Sequence, residues 1–169
     1  AEDSWADDME LAAIQLDYLG QGGEYLPEAL KYAAMEPVPP WMGADTASHY
    51  QWYPFVNLGH YYVAQNAKGA ERDTVISYMK RGLEGILKRG ETNPFLNGVP
   101  FIWCSNNLVV AAITQCRLYE QLTGSKEFAE MEASLRDWLF GCNPWGTSMV
   151  VGMPSWGDYP EDPHTSYRE

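Results

Sequence analysis

Positive charge is scarce in this chain. Eleven Lys and Arg face 23 Asp and Glu, which leaves a formal net charge of −12 over 169 residues. Nucleic acid and anionic membrane reward clustered cations, so neither is expected as a partner. A neutral polymer such as a glucan would not be repelled. Cysteine is scarcer still. Cys104, Cys116 and Cys142 are odd in number and form no Cys-x-x-Cys pair, so no disulfide framework is expected and the thiols read as reduced and mostly packed. The longest unbroken apolar run, Leu108 to Ile113, is far too short to cross a bilayer. The opening Ala1-Glu2-Asp3-Ser4 is acidic and helix-starting, not signal-like, so a soluble domain is expected.

Familiar catalytic signatures are missing as well. There is no His-Glu-x-x-His, no Gly-x-Ser-x-Gly and no phosphate-binding glycine loop. His49 and His60 lack metal-ligand spacing, and His60, between Gly59 and Tyr61 inside a helical pattern, reads as a hydrogen-bonded structural histidine. No metal and no cofactor are expected. Alternating strand patterns are also absent, which leaves an all-α chain.

Aromatic rings, by contrast, are abundant: seven Trp and eleven Tyr exceed what a core of this size needs. Helical spacing predicts six helices, near residues 4–19, 24–35, 47–66, 70–89, 105–123 and 125–141. Two stretches look like copies of one unit. Leu16-Asp17-Tyr18-Leu19-Gly20 with Tyr25 and Ala29 echoes Leu118 to Gly124 with Phe128 and Ala133. Each is a helix, a glycine-bearing turn, an aromatic and a second helix, the mark of repeated αα-hairpins. Connections alternate short and long, so antiparallel stacking puts every long loop at one end.

Those long loops hold Trp41, Trp103, Trp145, Trp156, Tyr159 and His164, with His49, Trp52 and Tyr53 close by. Each single Trp is best read as a loop anchor. The set is read as a platform for sugar rings, whose C–H faces stack on aromatics. Leu108 to Ile113 makes the fifth helix apolar all round, which predicts enclosure on every side. Asn106-Asn107 reads as a cap pair at its start, and Asp7-Asp8 as carboxylates meeting the first helix dipole. Asp158, Glu161 and Asp162 sit close together on one loop. Glycosidases need two carboxylates flanking a bond from opposite sides, so a solvated loop is the stronger reading there.

Asp137-Trp138-Leu139-Phe140-Gly141-Cys142-Asn143-Pro144-Trp145-Gly146-Thr147-Ser148-Met149-Val150-Val151-Gly152, followed by Tyr159-Pro160 and Pro163-His164, resembles the C-terminal part of glycoside hydrolase family 9, mainly cellulases. The hairpins, including Ser4-Trp5-Ala6-Asp7-Asp8 and Leu122-Thr123-Gly124, resemble its helical repeats, so the likeness covers essentially residues 1–169. It implies about half of an (α/α)6 toroid and inverting hydrolysis of β-1,4-glucosidic bonds. The family's base lies in an Asp-x-Gly-Asp motif and its acid is a Glu beyond a His-His-Arg loop. Neither is found here, so no catalytic residue is assigned, and a fragment inactive by itself is expected.

His164 matches the first His of that substrate-binding loop, whereas Thr165 and Ser166 replace the second His and the Arg. Arg168 carries a guanidinium at the wrong spacing. Trp145, Trp103 and Tyr159 are nominated as sugar-stacking groups on loop position. The implied partner is a β-1,4-glucan or oligosaccharide, and the implied location is extracellular or periplasmic. A half-ring would leave the fifth helix bare on its inner side, so it is expected to self-associate or to need its missing half. Two other readings remain: a helical-repeat interaction module, and another toroid enzyme such as a polysaccharide lyase.

Overall fold

A computed structural model describes residues 5–20, 23–43, 57–100 and 105–157. Among them lie seven helices and no strand: α1 (Ala6–Gly20), α2 (Leu26–Met35), α3 (Pro40–Gly43), α4 (Leu58–Asn66), α5 (Gly69–Gly90), α6 (Ser105–Thr123) and α7 (Ala129–Leu139). The chain is all-α, as expected. The described part of the third expected helix starts at Leu58, and residues 47–56 lie outside the described residues. One short helix, α3, was not foreseen.

Three hairpins, α1–α2, α4–α5 and α6–α7, make up the array. Helices α1, α4 and α6 touch in succession, and α2, α5 and α7 back them. The repeat seen in the sequence has a structural counterpart. Tyr25 and Phe128 stand just before α2 and α7 with nearly the same backbone, φ −99°, ψ −6° and φ −104°, ψ 10°. Each carbonyl then accepts the first helical N–H, from Ala29 and Glu132, at 2.9 Å.

Two apolar clusters hold the hairpins. Ala13, Ile14, Ala29, Ala33, Val63 and Val75 join the first two, small side chains letting backbones approach. Trp41, Leu83, Ile86, Leu108, Leu135 and Trp138 are among the larger groups of the second cluster, around α5, α6 and α7. Burying each large aliphatic side chain stabilises by about 2 kcal/mol before chain entropy is counted. On α5 the buried Val75, Met79, Leu83 and Ile86 recur every three or four residues, while Glu71, Asp73, Arg81, Glu84 and Lys88 face out.

Polar contacts define the two ends. At one, Tyr18 donates to Gln65 at 3.2 Å, Arg72 donates to the Leu122 carbonyl at 2.7 Å, and Glu127 binds Lys80 at 2.8 Å and accepts from Tyr119 at 2.6 Å. This is the short-turn end. At the other, His60 near the start of α4 meets Glu10 of α1 and the Pro37 carbonyl after α2. The described parts of the long connections leave from that end.

Three expectations need correction. Trp41 is fully buried and belongs to the core, because α3 folds back onto α5. Enclosure of α6 on every side is not met, although a half-ring was expected to leave it bare on one side: Val110 is 50% exposed, since no described element covers that side. Asn106 and Asn107 lie inside the first turn of α6, not ahead of it as caps.

Candidate functional site

Helices α5 and α7 leave the array by the same device. After α5, the Asn93 carboxamide accepts the N–H groups of Phe95 at 3.0 Å and Asn97 at 3.2 Å, and donates to the Asn97 carbonyl at 2.8 Å. After α7, Asn143 accepts from Trp145 at 3.1 Å and Thr147 at 3.4 Å, and donates to the Thr147 carbonyl at 2.7 Å. It also donates to the Trp138 carbonyl at 2.8 Å, which ties the loop to the last turn of α7. Asn side chains favour such local loops because they mimic a backbone turn. Three residues beyond each Asn the chain turns left-handed, at Leu96 (φ 51°) and Gly146 (φ 61°).

The second of these loops carries the site residue that sequence reasoning placed on it. Trp145 is 58% exposed and rests edge-on against Trp138, with centroids 6.1 Å apart and planes at 83°. Its ring is thus held by one aromatic and open to solvent over much of its surface. Trp156, farther along, is 87% exposed. Trp103, Tyr159 and His164 lie outside the described residues, as do His49, Trp52, Tyr53, Cys104, Asp158, Glu161, Asp162, Thr165, Ser166 and Arg168. Of the four nominated groups, only Trp145 lies among the described residues.

A charged cluster at the same end was not foreseen as a unit. Both Glu10 oxygens lie 2.8 Å from His60 Nδ1, and His60 Nε2 is 3.2 Å from the Pro37 carbonyl. Both side chains are fully buried, as expected for a structural histidine. Glu10 at Nδ1 and the Pro37 carbonyl at Nε2 give both ring nitrogens a partner, so the buried ring is fixed in place. Gly59 makes room for the pair, since a Cβ there would stand 2.7 Å from Glu10 Cδ.

Glu36, capping the end of α2, is pushed up to about 7 by burial and then by the neighbouring Asp7 carboxylate, with His60 opposing. Burial also raises Asp7, so the bland dipole reading of Asp7 is incomplete. The signal was present in the sequence: Asp7, Glu10 and Asp17 share the helical face of Ala13 and Ile14. Asp17 accepts the Tyr25 N–H at 2.9 Å and so closes the α1–α2 turn.

Among the described residues no group of three His, Cys, Asp or Glu is arranged to hold a metal ion. Cys116 is buried and its thiol is pushed up to about 12, chiefly by burial, whereas Cys142 is exposed. Thiolate chemistry at Cys116 is thereby disfavoured. No helix among the described residues is long and apolar enough to cross a membrane.

The array thus pairs its helices in hairpins and carries an exposed Trp on an Asn-Pro turn at one end. The family model of glycosyl hydrolase family 9 matches residues 1–168. The chain belongs to that family, and its class is that of the O-glycosyl hydrolases. Searches of curated proteins and of solved structures give no match.

Proposed function

We propose that this chain is part of a family 9 catalytic domain acting on β-1,4-glucans, cellulose or cello-oligosaccharides, by inversion. The glucan lies across the long-loop end, where Trp145 and the loops bearing Trp103, Tyr159 and His164 meet sugar rings. Inversion needs a carboxylate base that activates water and a carboxylic acid that protonates the leaving oxygen, set far enough apart to admit the water. Both groups lie outside this chain in this reading. The three hairpins then make up about half of an (α/α)6 toroid, and the chain alone self-associates or requires the other half. The setting is extracellular or periplasmic.

One observation carries the reading beyond family membership. Trp145 combines wide exposure with a fixed mount, being held by Trp138 and by the Asn143 hub. A rigid, exposed ring loses little entropy when a sugar stacks on it. Cellohexaose titrated into the 169-residue chain and its Trp145→Ala variant, with intrinsic fluorescence as readout, tests this. At least tenfold weaker binding by the variant is expected. Equal affinities would sink the platform. Glucan hydrolysis by the chain alone would overturn the placement of the reacting carboxylates.

A further inference from the structure

Arg89, in the last turn of α5, donates from Nε to the Gly98 carbonyl at 2.8 Å. Its two terminal nitrogens donate to the carbonyls of Met42 at 2.9 Å and Trp41 at 3.3 Å. One guanidinium therefore joins two loops that are far apart in sequence: the one entering the described end through α3, and the one that follows α5. We propose that Arg89 is a positioning residue that fixes these two loops relative to each other, and with them the spacing of the carbohydrate-facing surface. This rests on the reading of that end as the glucan site.

The chemistry suits the task. The Trp41 and Met42 carbonyls sit near the end of a four-residue helix, where carbonyls have no helical partner and attract a cation. Arginine presents its donors in a planar fork, so a single side chain can hold three acceptors in fixed directions. A lysine, as a compact point charge, cannot reproduce that fork. Backbone shape agrees with a close fit, because a Cβ on Gly85 would stand 2.8 Å from the Met42 oxygen. The loop after α5 is stiffened by its own Asn93 hub, so displacing Gly98 moves the whole turn.

Two readouts on the 169-residue chain test the proposal. Hydrogen exchange is followed in residues 38–43 and 91–100 for the wild type, Arg89→Lys and Arg89→Ala. Both segments are expected to exchange about tenfold faster in each variant, while α4 and α7 keep their protection. Acceleration in neither segment, or in one alone, overturns the proposal. Cellohexaose affinity is then compared with a control, Val75→Ala, which cuts the other core without touching either loop. About tenfold weaker binding by Arg89→Lys, with Val75→Ala unchanged, supports a positioning role. Equal losses in the two variants overturn it in favour of general destabilisation. A wild type that binds no cellohexaose defeats the glucan reading, and exchange still decides whether Arg89 couples the loops.

Discussion

The turns after α5 and α7 share Asn-Pro-aromatic and the same hydrogen-bond hub, yet their aromatics end differently. Phe95 packs against the large core cluster, whereas Trp145 stands 58% in solvent with only Trp138 described beside it. After α2 comes a third Pro-aromatic pair, Pro40-Trp41, whose ring is buried entirely. The local turn therefore does not decide whether the ring is core or surface. Neighbours decide: α5 covers Trp41, and the α5–α7 core takes in Phe95, while no described element covers Trp145.

The hubs offer the largest test. Asn143 is buried and makes four hydrogen bonds, including one to the end of α7, whereas Asn93 is half-buried and makes three, all within its own loop. Asn143→Ala is expected to cost about 3 kcal/mol and Asn93→Ala about 1–2 kcal/mol, since unpaired buried backbone groups carry the larger penalty. Thermal melting checks both, at roughly 2–4 °C per kcal/mol for a chain of this size. Equal losses would break the distinction between a loop tied to its helix and one tied to itself.

The aromatics come next. Phe95→Ala is expected to lose about 2 kcal/mol through lost packing, and Trp145→Ala less than about 1 kcal/mol. Urea unfolding with an unchanged slope would report both as true stability changes. A Trp145 variant that loses as much as the Phe95 variant would make Trp145 structural and remove the case for a sugar platform. Smaller than the Phe95 loss is that of Gly146→Ala. Its φ of 61° is left-handed while nothing crowds a new Cβ, so the cost, about 1 kcal/mol, is conformational alone. Leu96 already bears that strain at the matching position of the other turn.

Much of the architecture was readable because helical periodicity is local. The expected fifth helix coincides with α6, Ser105–Thr123, since Thr123-Gly124 ends it sharply. The start of α7 was misplaced because Ser125 and Lys126 spend their hydrogen bonds on a turn: the Ser125 hydroxyl accepts the Glu127 N–H at 3.3 Å, and the Lys126 carbonyl that of Ala129 at 3.0 Å. Burial of individual rings was not readable. Trp41 and Trp145 both follow proline in long connections, and only tertiary contacts separate them. The partnership of Glu10 with His60 spans 50 positions, beyond any local pattern. Arg89 looked like an ordinary cation in the last turn of a helix, and its three carbonyl partners emerge only when the loops fold back.

The end of α2 differs from the other two exits in lacking an Asn hub and in carrying a partly buried acid, and that predicts a pH dependence confined to it. Glu36 is pushed from 4.5 to about 7, mainly by burial and by Asp7, with Glu10 and Asp8 adding repulsion and His60 opposing. A carboxyl whose folded value is raised binds more protons folded than unfolded. Its favourable share of stability is therefore complete below pH 4.5, falls as pH rises toward 7, and is gone above. Because Glu36 is only half-buried, solvent screening reduces the effect to below about 1 kcal/mol. Glu36→Gln, with no proton to lose, is expected to flatten this part of the stability curve and to be the more stable form at pH 8. Melting temperatures from pH 4 to 8 decide the matter: parallel curves for the two proteins would mean that Glu36 ionises without strain. The α2 exit would then be as insensitive to pH as the two Asn-built exits.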